Sequence, residues 1–258
     1  MSTKNKIYFA SDFHLGVPDH EQSINRERKV ISWLNEIQKD AKEIYLVGDV
    51  FDFWFEWKNV VPRGHVRILG KLAELCDSGV PIHFFTGNHD LWTFGYLEKE
   101  IGLQVHQNSI QIELQGKKCF IGHGDGLGPG DKSYKFLKKL FTNSICQWLF
   151  SRIHPNTSFK IASYFSKKSR ISNIDKNQTF KGQDKEWLVH YSKEILMNEH
   201  FHYFIFGHRH MPLDIELKES SRYINLGEWV NYFSYGVMEN GHFDLKFYDS
   251  VFSKPLNK

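Results

Sequence analysis

The chain has 258 residues, 41% of them hydrophobic and 24% charged, and a formal net charge of +3. This length and composition are typical of a globular domain with a sizeable core, and they exclude a disordered or collagen-like chain. The absence of an 18-residue apolar run excludes a spanning helix, and the polar start and three scattered cysteines (Cys76, Cys119 and Cys146) predict a cytoplasmic protein without a secretory signal.

The first half of the chain alternates short apolar runs with amphipathic helical patterns. Helices are predicted at about 23–38 and 66–77, each with aliphatic residues on one face. The apolar runs predict strands at 6–10, 43–47, 82–86, 118–121 and 202–206. Because these runs are nearly all apolar, they are typical of strands buried on both faces. The alternation predicts an α/β fold with a largely parallel central sheet.

The second half carries hairpin signals. Strands are predicted at 110–114, 118–121, 222–226, 235–239 and 242–248. Gln115-Gly116 separates the first two of these strands, and Asn240-Gly241 separates the last two. Both dipeptides favour tight turns between antiparallel strands.

A basic helical stretch lies between these regions. Helical patterns at 133–150, 158–168 and 184–198 predict that residues 131–200 form a helical insertion in a single domain spanning 1–258. Residues 132–181 contain eleven Lys and Arg against one acid, a net charge of +10 that leaves −7 for the rest of the chain. This uneven charge indicates a segment that faces phosphates or an anionic surface.

Five polar clusters stand where five of the apolar strands are predicted to end. They are Ser11-Asp12-Phe13-His14, Gly48-Asp49-Val50-Phe51-Asp52, Gly87-Asn88-His89-Asp90, Gly122-His123-Gly124-Asp125 and Gly207-His208-Arg209-His210. Ligands of α/β sheets bind at the carboxyl ends of strands, so we expect these clusters to converge.

Seven side chains in these clusters are of types that bind metal ions. They are Asp12, His14, Asp49, Asn88, His123, His208 and His210. Seven ligands are too many for one four-coordinate ion and suit two ions that share a carboxylate. Because no thiolate is present, Mn²⁺, Fe or Zn²⁺ is expected. Two such ions acidify a water and neutralise charge on a phosphoryl group, so the pattern predicts a phosphoryl hydrolase.

The order of the motifs, Asp-x-His, Gly-Asp, Gly-Asn-His-Asp, Gly-His and Gly-His-x-His, resembles that of the calcineurin-like metallophosphoesterase superfamily. The resemblance implies an α/β (α+β) fold, a four-layer αββα sandwich of two mixed sheets. It implies one ion held by Asp12, His14, Asp49 and His210, and a second held by Asp49, Asn88, His123 and His208. It also implies that Asp49 bridges the ions, and that His89, oriented by Asp90, faces the scissile group.

A narrower resemblance is to the UDP-2,3-diacylglucosamine pyrophosphohydrolases of lipid A biosynthesis. It is carried by residues 48–54, by His123-Gly124-Asp125-Gly126-Leu127 with the following Asp131 and Tyr134, and by the basic, aromatic insertion. It implies Mn²⁺-dependent cleavage of UDP-2,3-diacylglucosamine to UMP and 2,3-diacylglucosamine 1-phosphate at the inner face of the bacterial inner membrane, with the insertion as a lid over acyl chains. The substrate-binding residues that it implies are Asn88, His89, Asp131, Ser169, Asn173, Lys176 and His208.

One departure keeps the exact substrate open. The best-known branch of that family has Arg where this chain has His89. The alternative is another metallophosphoesterase acting on soluble nucleotides, phosphodiesters or nucleic acid, with the insertion as a phosphate-steering or base-stacking surface. Cationic and aromatic side chains together suit an acylated anionic ligand or an anionic leaflet, so an amphiphilic nucleotide-sugar lipid is the expected partner and nucleic acid is not.

Overall fold

The computed structural model describes residues 4–128, 132–177 and 180–257, and the side chains of residues 132, 133 and 167–177 lie outside that description. The strands in these residues are β1 (Lys6–Ala10), β2 (Ala41–Val47), β3 (Ile82–Phe85), β4 (Gln104–His106), β5 (Ile110–Leu114), β6 (Lys117–Gly122), β7 (Tyr203–Phe206), β8 (Pro212–Glu216), β9 (Arg222–Leu226), β10 (Ser234–Glu239) and β11 (His242–Phe247). The α-helices are α1 (His20–Ile37), α2 (Val66–Asp77), α3 (Tyr96–Lys99), α4 (Lys132–Thr142), α5 (Ser144–Ser151), α6 (Pro155–Asn177) and α7 (Trp187–Leu196).

The strands form two mixed sheets. In the first, ordered β11-β10-β1-β2-β3-β4, strands β1 to β4 are parallel to one another, and β10 is antiparallel to both of its neighbours, β1 and β11. In the second, ordered β5-β6-β7-β9-β8, strands β6, β7 and β9 are parallel. The expectation of one largely parallel central sheet was wrong, because the runs at 118–121 and 202–206 belong to the second sheet. The two mixed sheets implied by the family resemblance are confirmed.

Alternation along the strands divides the core into layers. In β1, Ile7 and Phe9 pack in an apolar cluster to which both sheets contribute, while Tyr8 and Ala10 pack in a second cluster with α1 and α2. A third cluster joins α7 to the other face of the second sheet through residues such as Leu188. These three clusters produce the αββα order and leave the carboxyl ends of β1, β2, β3, β6 and β7 for the polar clusters.

The helix predictions need three corrections. Helix α1 begins before residue 23, because Asp19 caps it by accepting a hydrogen bond of 2.9 Å from the Gln22 amide. The predicted helix at 133–150 is two helices, because the Asn143 side chain accepts hydrogen bonds from the Ile145 and Cys146 amides and starts α5. The pattern at 158–168 marks only the middle of α6.

Three elements were not predicted from the sequence. Strand β4 has three residues, two of them polar, and β8 begins with a proline and lies at a sheet edge. Helix α3 is a single turn. Such short elements lack enough residues to show a period. In the described part of the chain, no helix has both the length and the apolarity to cross a membrane.

Candidate dimetal centre

The side chains of the polar clusters leave the sheets through strained backbone. Asp12, His14, Asp49, His208 and His210 all have positive φ, between 45° and 67°. Residues other than glycine rarely adopt this left-handed conformation, and it persists where the surroundings enforce it. Its concentration at five of the seven predicted ligands indicates that the strand ends are built to aim side chains.

Close backbone approach explains two of the glycines in the clusters. A Cβ on Gly48 would lie 2.5 Å from His123 Nδ1, and one on Gly87 would lie 2.2 Å from Asp49 Oδ1. Any side chain at either position would therefore displace a predicted ligand.

The first group of side chains contains Asp12, His14, Asp49 and His210, whose potential ligand atoms all lie within 4.8 Å of one another. The His14 and His210 Nε2 atoms are 3.1 Å apart, and His210 Nε2 lies 3.0 Å from Asp12 Oδ1. Three of the four residues are buried and His210 is half-buried. This is the set that the resemblance assigns to one ion.

The second group contains Asp49, His123 and His208, again with potential ligand atoms within 4.8 Å of one another. His123 Nε2 lies 3.3 Å from Asp49 Oδ2 and 3.3 Å from Asn88 Oδ1. Asp49 belongs to both groups. The structure thus brings all seven predicted ligands together, and Asp49 is the residue that both groups share.

The donor atoms fit divalent cations. Within the described residues, Asp12 Oδ1 and Asp49 Oδ2 are buried, accept no hydrogen bond and face imidazole nitrogens. The other oxygen of each carboxylate is occupied, because Asp12 Oδ2 accepts from the His208 amide at 3.0 Å and Asp49 Oδ1 from the His89 amide at 2.9 Å. His123 Nδ1 donates to the Val47 carbonyl at 2.9 Å, so the neutral ring that binds a metal carries its lone pair on Nε2. Buried carboxylate oxygens and imidazole nitrogens that converge in this way suit Mn²⁺, Fe or Zn²⁺.

Mutual electrostatics keep the carboxylates ionised. Burial acts to raise the pKa of Asp49, but the imidazoles of His123, His89 and His14 outweigh it and hold this pKa below its usual range. Burial likewise opposes the low pKa of Asp12, which is lowered chiefly by His210 and His14. Burial and the neighbouring His123 lower the pKa of His208 to about 4, so this imidazole is neutral and available as a ligand at neutral pH.

The buried Asp90 carboxylate is hydrogen-bonded to four backbone amides. It accepts these hydrogen bonds from Gly87 at 2.7 Å, Val50 at 2.8 Å, and Asp49 and Phe51 at 3.3 Å each. These bonds join Asp90 to the turn that carries Asp49, and the orientation of His89 by Asp90 stays a prediction. Burial and the Asp49 charge raise the pKa of Asp90 to about 7.

Asp52 is the functional residue that the sequence reasoning left without a role. The His89 Nδ1 atom lies 2.9 Å from the Asp52 carbonyl oxygen, and Asp52 Oδ1 lies 3.5 Å from Nδ1 of both His14 and His89. The signal was available, because Asp52 closes the Gly48-Asp49-Val50-Phe51-Asp52 cluster. Its contacts join a predicted ligand, His14, to the predicted catalytic histidine, His89.

Helices α4 and α6 reach the centre through two buried carboxylates. Ser166 Oγ of α6 donates to Asp52 Oδ2 at 2.9 Å. Asp125, two residues after His123, accepts from Tyr134 Oη and Lys138 Nζ of α4, both at 2.6 Å. The insertion is therefore fastened beside the predicted ligands.

The remaining predicted substrate residues divide into two sets. Asn88, His89 and His208 lie at the centre. Asp131 and the side chains of Ser169, Asn173 and Lys176 lie outside the described residues, although the last three belong to α6.

The chain matches one family model and several known proteins. A family model described as calcineurin-like phosphoesterase matches residues 5–226. A UDP-2,3-diacylglucosamine hydrolase of Porphyromonas gingivalis is 41% identical over 249 residues, which cover 92% of this chain and 95% of that protein. A protein of the same name from Edwardsiella ictaluri is 29% identical over 79% of this chain and 75% of its own length. Among solved structures, a dimetal phosphatase from Danio rerio is matched with a TM-score of 0.44 and 12% identity over 96% of this chain and 100% of that chain.

Proposed function

The chain belongs to the calcineurin-like phosphoesterase family, and on this basis we propose that it hydrolyses the pyrophosphate bond of UDP-2,3-diacylglucosamine to UMP and 2,3-diacylglucosamine 1-phosphate. The observation that carries the proposal is the pair of buried Asp and His groups that share Asp49. The name of the Porphyromonas gingivalis relative, 41% identical across 95% of its length, supports this substrate.

Two divalent cations, with Mn²⁺ favoured, are the proposed cofactors. Asp12, His14, Asp49 and His210 would hold one, and Asp49, Asn88, His123 and His208 the other. When bound, such a pair lowers the pKa of a water and neutralises charge on phosphoryl oxygens. The protein's own contribution is to hold each ligand in place through the occupied carboxylate oxygens and the strained strand ends.

His89 is the proposed catalytic side chain beside the cations. Its Nδ1 donates to the Asp52 carbonyl, so Nε2 lies on the opposite side of the ring and is the atom to contact a phosphoryl oxygen. The phosphate leaving group of a pyrophosphate needs little protonation. His89 would therefore act mainly as an imidazolium, whose second N–H, on Nε2, donates a hydrogen bond to oxygens that gain charge in the transition state.

The insertion would act as a lid that contacts acyl chains and an anionic membrane surface. Among its described side chains, Phe136 is 72%, Ile145 67% and Trp148 55% exposed. The cations Lys139 and Arg152 of the same segment are exposed as well. Apolar side chains flanked by cations are typical of helices that lie on an anionic leaflet. We therefore place the protein peripherally on the inner face of the inner membrane.

The decisive experiment supplies UDP-2,3-diacylglucosamine and Mn²⁺ and measures UMP. The wild-type chain should release UMP, and an Asp49→Ala variant should not. Bis(p-nitrophenyl) phosphate and DNA are the comparison substrates. Equal cleavage of either would refute the lipid substrate and favour the alternative metallophosphoesterase function.

Membrane contact has its own test. Phe136→Ser with Trp148→Ser should reduce co-sedimentation with vesicles containing phosphatidylglycerol. Val66→Ser is the matched control, because Val66 is 73% exposed on α2, outside the insertion. Equal loss of binding in both proteins would contradict a membrane role for the insertion.

A further inference from the structure

A buried ion pair lies directly behind the last metal-binding motif. Arg209 Nε donates to Glu186 Oε2 at 2.8 Å and Arg209 Nη2 donates to Glu186 Oε1 at 3.0 Å, with side chains only 5% and 2% exposed. The Arg209 guanidinium also stacks 4.5 Å from the centre of the Trp187 ring. This two-pronged contact holds a planar group in one orientation.

Arg209 is the residue between His208 and His210, which belong to different ligand groups. Both histidines have positive φ, 67° and 53°, a left-handed conformation that residues other than glycine rarely adopt. The Arg209 amide donates to the Gly207 carbonyl at 2.8 Å, which closes the turn around the two histidines. An anchor at Arg209 therefore restrains both neighbours at once.

The anchor comes from a separate part of the chain. Glu186 is the residue immediately before α7, and the Trp187 ring centre lies 4.5 Å from the Arg209 guanidinium and 6.2 Å from the centre of the His208 ring. The turn also bonds to two other metal motifs, because the Gly207 amide donates to the His123 carbonyl and the His208 amide donates to Asp12 Oδ2. The turn is thus joined both to those motifs and, through Arg209, to the residue that precedes α7.

We infer that Glu186 and Arg209 are positioning residues that aim one metal ligand into each half of the centre, His208 into one and His210 into the other. This role rests on the dimetal function proposed above. It requires neither residue to touch a cation or substrate, because the pair acts through the backbone of the turn. The loss of a residue that positions a metal ligand typically lowers metal affinity by about 10–100-fold.

The test is a titration of metal-stripped full-length protein with Mn²⁺ alone. Glu186→Gln keeps the shape of the side chain but removes the charge. We expect the Kd for Mn²⁺ to rise by about 10–100-fold at both sites. In turnover assays, kcat should fall at low Mn²⁺ and recover at saturating Mn²⁺, while KM for the lipid stays constant. A purely structural pair would change thermal stability and leave the Mn²⁺ titration unchanged.

A second variant distinguishes weaker metal binding from a failure to fold. Glu186→Leu with Arg209→Met leaves no uncompensated charge, and apolar replacement of a buried pair is often neutral for stability. It should fold and still bind Mn²⁺ weakly, because an apolar pair cannot fix the orientation of the turn. Two Mn²⁺ bound with wild-type affinity would overturn the inference.

The chain supplies a matched control in the same sheet. Arg222 pairs with Asp214 at 3.0 Å, and neither residue belongs to the described metal groups. Asp214→Asn should leave Mn²⁺ affinity unchanged, and an equal loss there would also overturn the inference. Failure of the wild-type protein to release UMP would instead refute the proposed substrate, since the titration contains no substrate.

Discussion

The most informative substitution is Asp90→Asn, because it separates two possible roles of the Asp90 carboxylate. One role is to support the turn that carries Asp49, and the other is to orient His89. Asp90 is fully buried, and each of its oxygens accepts two backbone hydrogen bonds, Oδ1 from Gly87 and Asp49 and Oδ2 from Val50 and Phe51. An asparagine has one oxygen and one NH₂ group, which cannot accept. Two of these four backbone amides would therefore lose their acceptor, Gly87 and Asp49 or Val50 and Phe51 according to which oxygen is replaced.

The cost follows from the number of amides left unpaired. A buried donor without a partner costs about 1–3 kcal/mol, so the variant should lose roughly 2–6 kcal/mol of its free energy of unfolding. That is a large share of the ~5–15 kcal/mol typical of a folded protein. Mn²⁺ affinity should fall as well, since the turn places Asp49.

Urea unfolding of metal-free protein measures this loss without the contribution of bound metal. Asp52→Asn is the control, because it makes the same chemical change in a side chain that contacts His14, His89 and Ser166. It should lower kcat with a smaller loss of stability. If Asp90→Asn kept its unfolding free energy within about 1 kcal/mol of wild type while kcat fell, the carboxylate would act on His89 and our reasoning would be refuted.

Three further outcomes are expected. Asp49→Ala should reduce the bound Mn²⁺ from two ions per chain to fewer than one, measured by elemental analysis, because both ligand groups contain Asp49; two retained ions would contradict the bridging role. His89→Ala should keep both ions and lose about 10²–10⁴-fold in kcat, and an unchanged kcat would remove His89 from the chemistry. Burial lowers the pKa of His65 to about 4. Between about pH 6.5 and pH 4 the unfolded chain therefore binds a proton at His65 and the folded chain does not. The free energy of unfolding should fall by roughly 3 kcal/mol as the pH drops through this window. His65→Leu should flatten this part of the pH profile in urea unfolding, and an unchanged slope would contradict the assignment.

The site was more predictable from the sequence than the fold around it. Each predicted ligand stands within a few residues of the end of an apolar strand. Its position can therefore be predicted from a short stretch of sequence without knowledge of the rest of the fold. Five of these ligands have positive φ, a backbone conformation of the ligand residue itself. By contrast, strands β3 and β6 have similar apolar runs, and only hydrogen bonding between distant segments assigns them to different sheets.

Orientation within the site required the tertiary structure. Asp90 follows His89 directly in the chain, yet it bonds to the turn of Asp49, while Asp52, from another strand end, faces the His89 ring. A sequence shows which residues are neighbours along the chain but not the direction in which each side chain leaves a strained turn.

The amino-acid sequence by itself determined the ligand types, their order and their positions at strand ends, because these depend on the local alternation of apolar and polar residues. Only the tertiary structure decided which groups hold the ligands in place. The contacts of Asp52 with Ser166 and of Arg209 with Glu186 join residues 114 and 23 positions apart, and no local pattern encodes which distant side chains meet once both sheets and the insertion have packed.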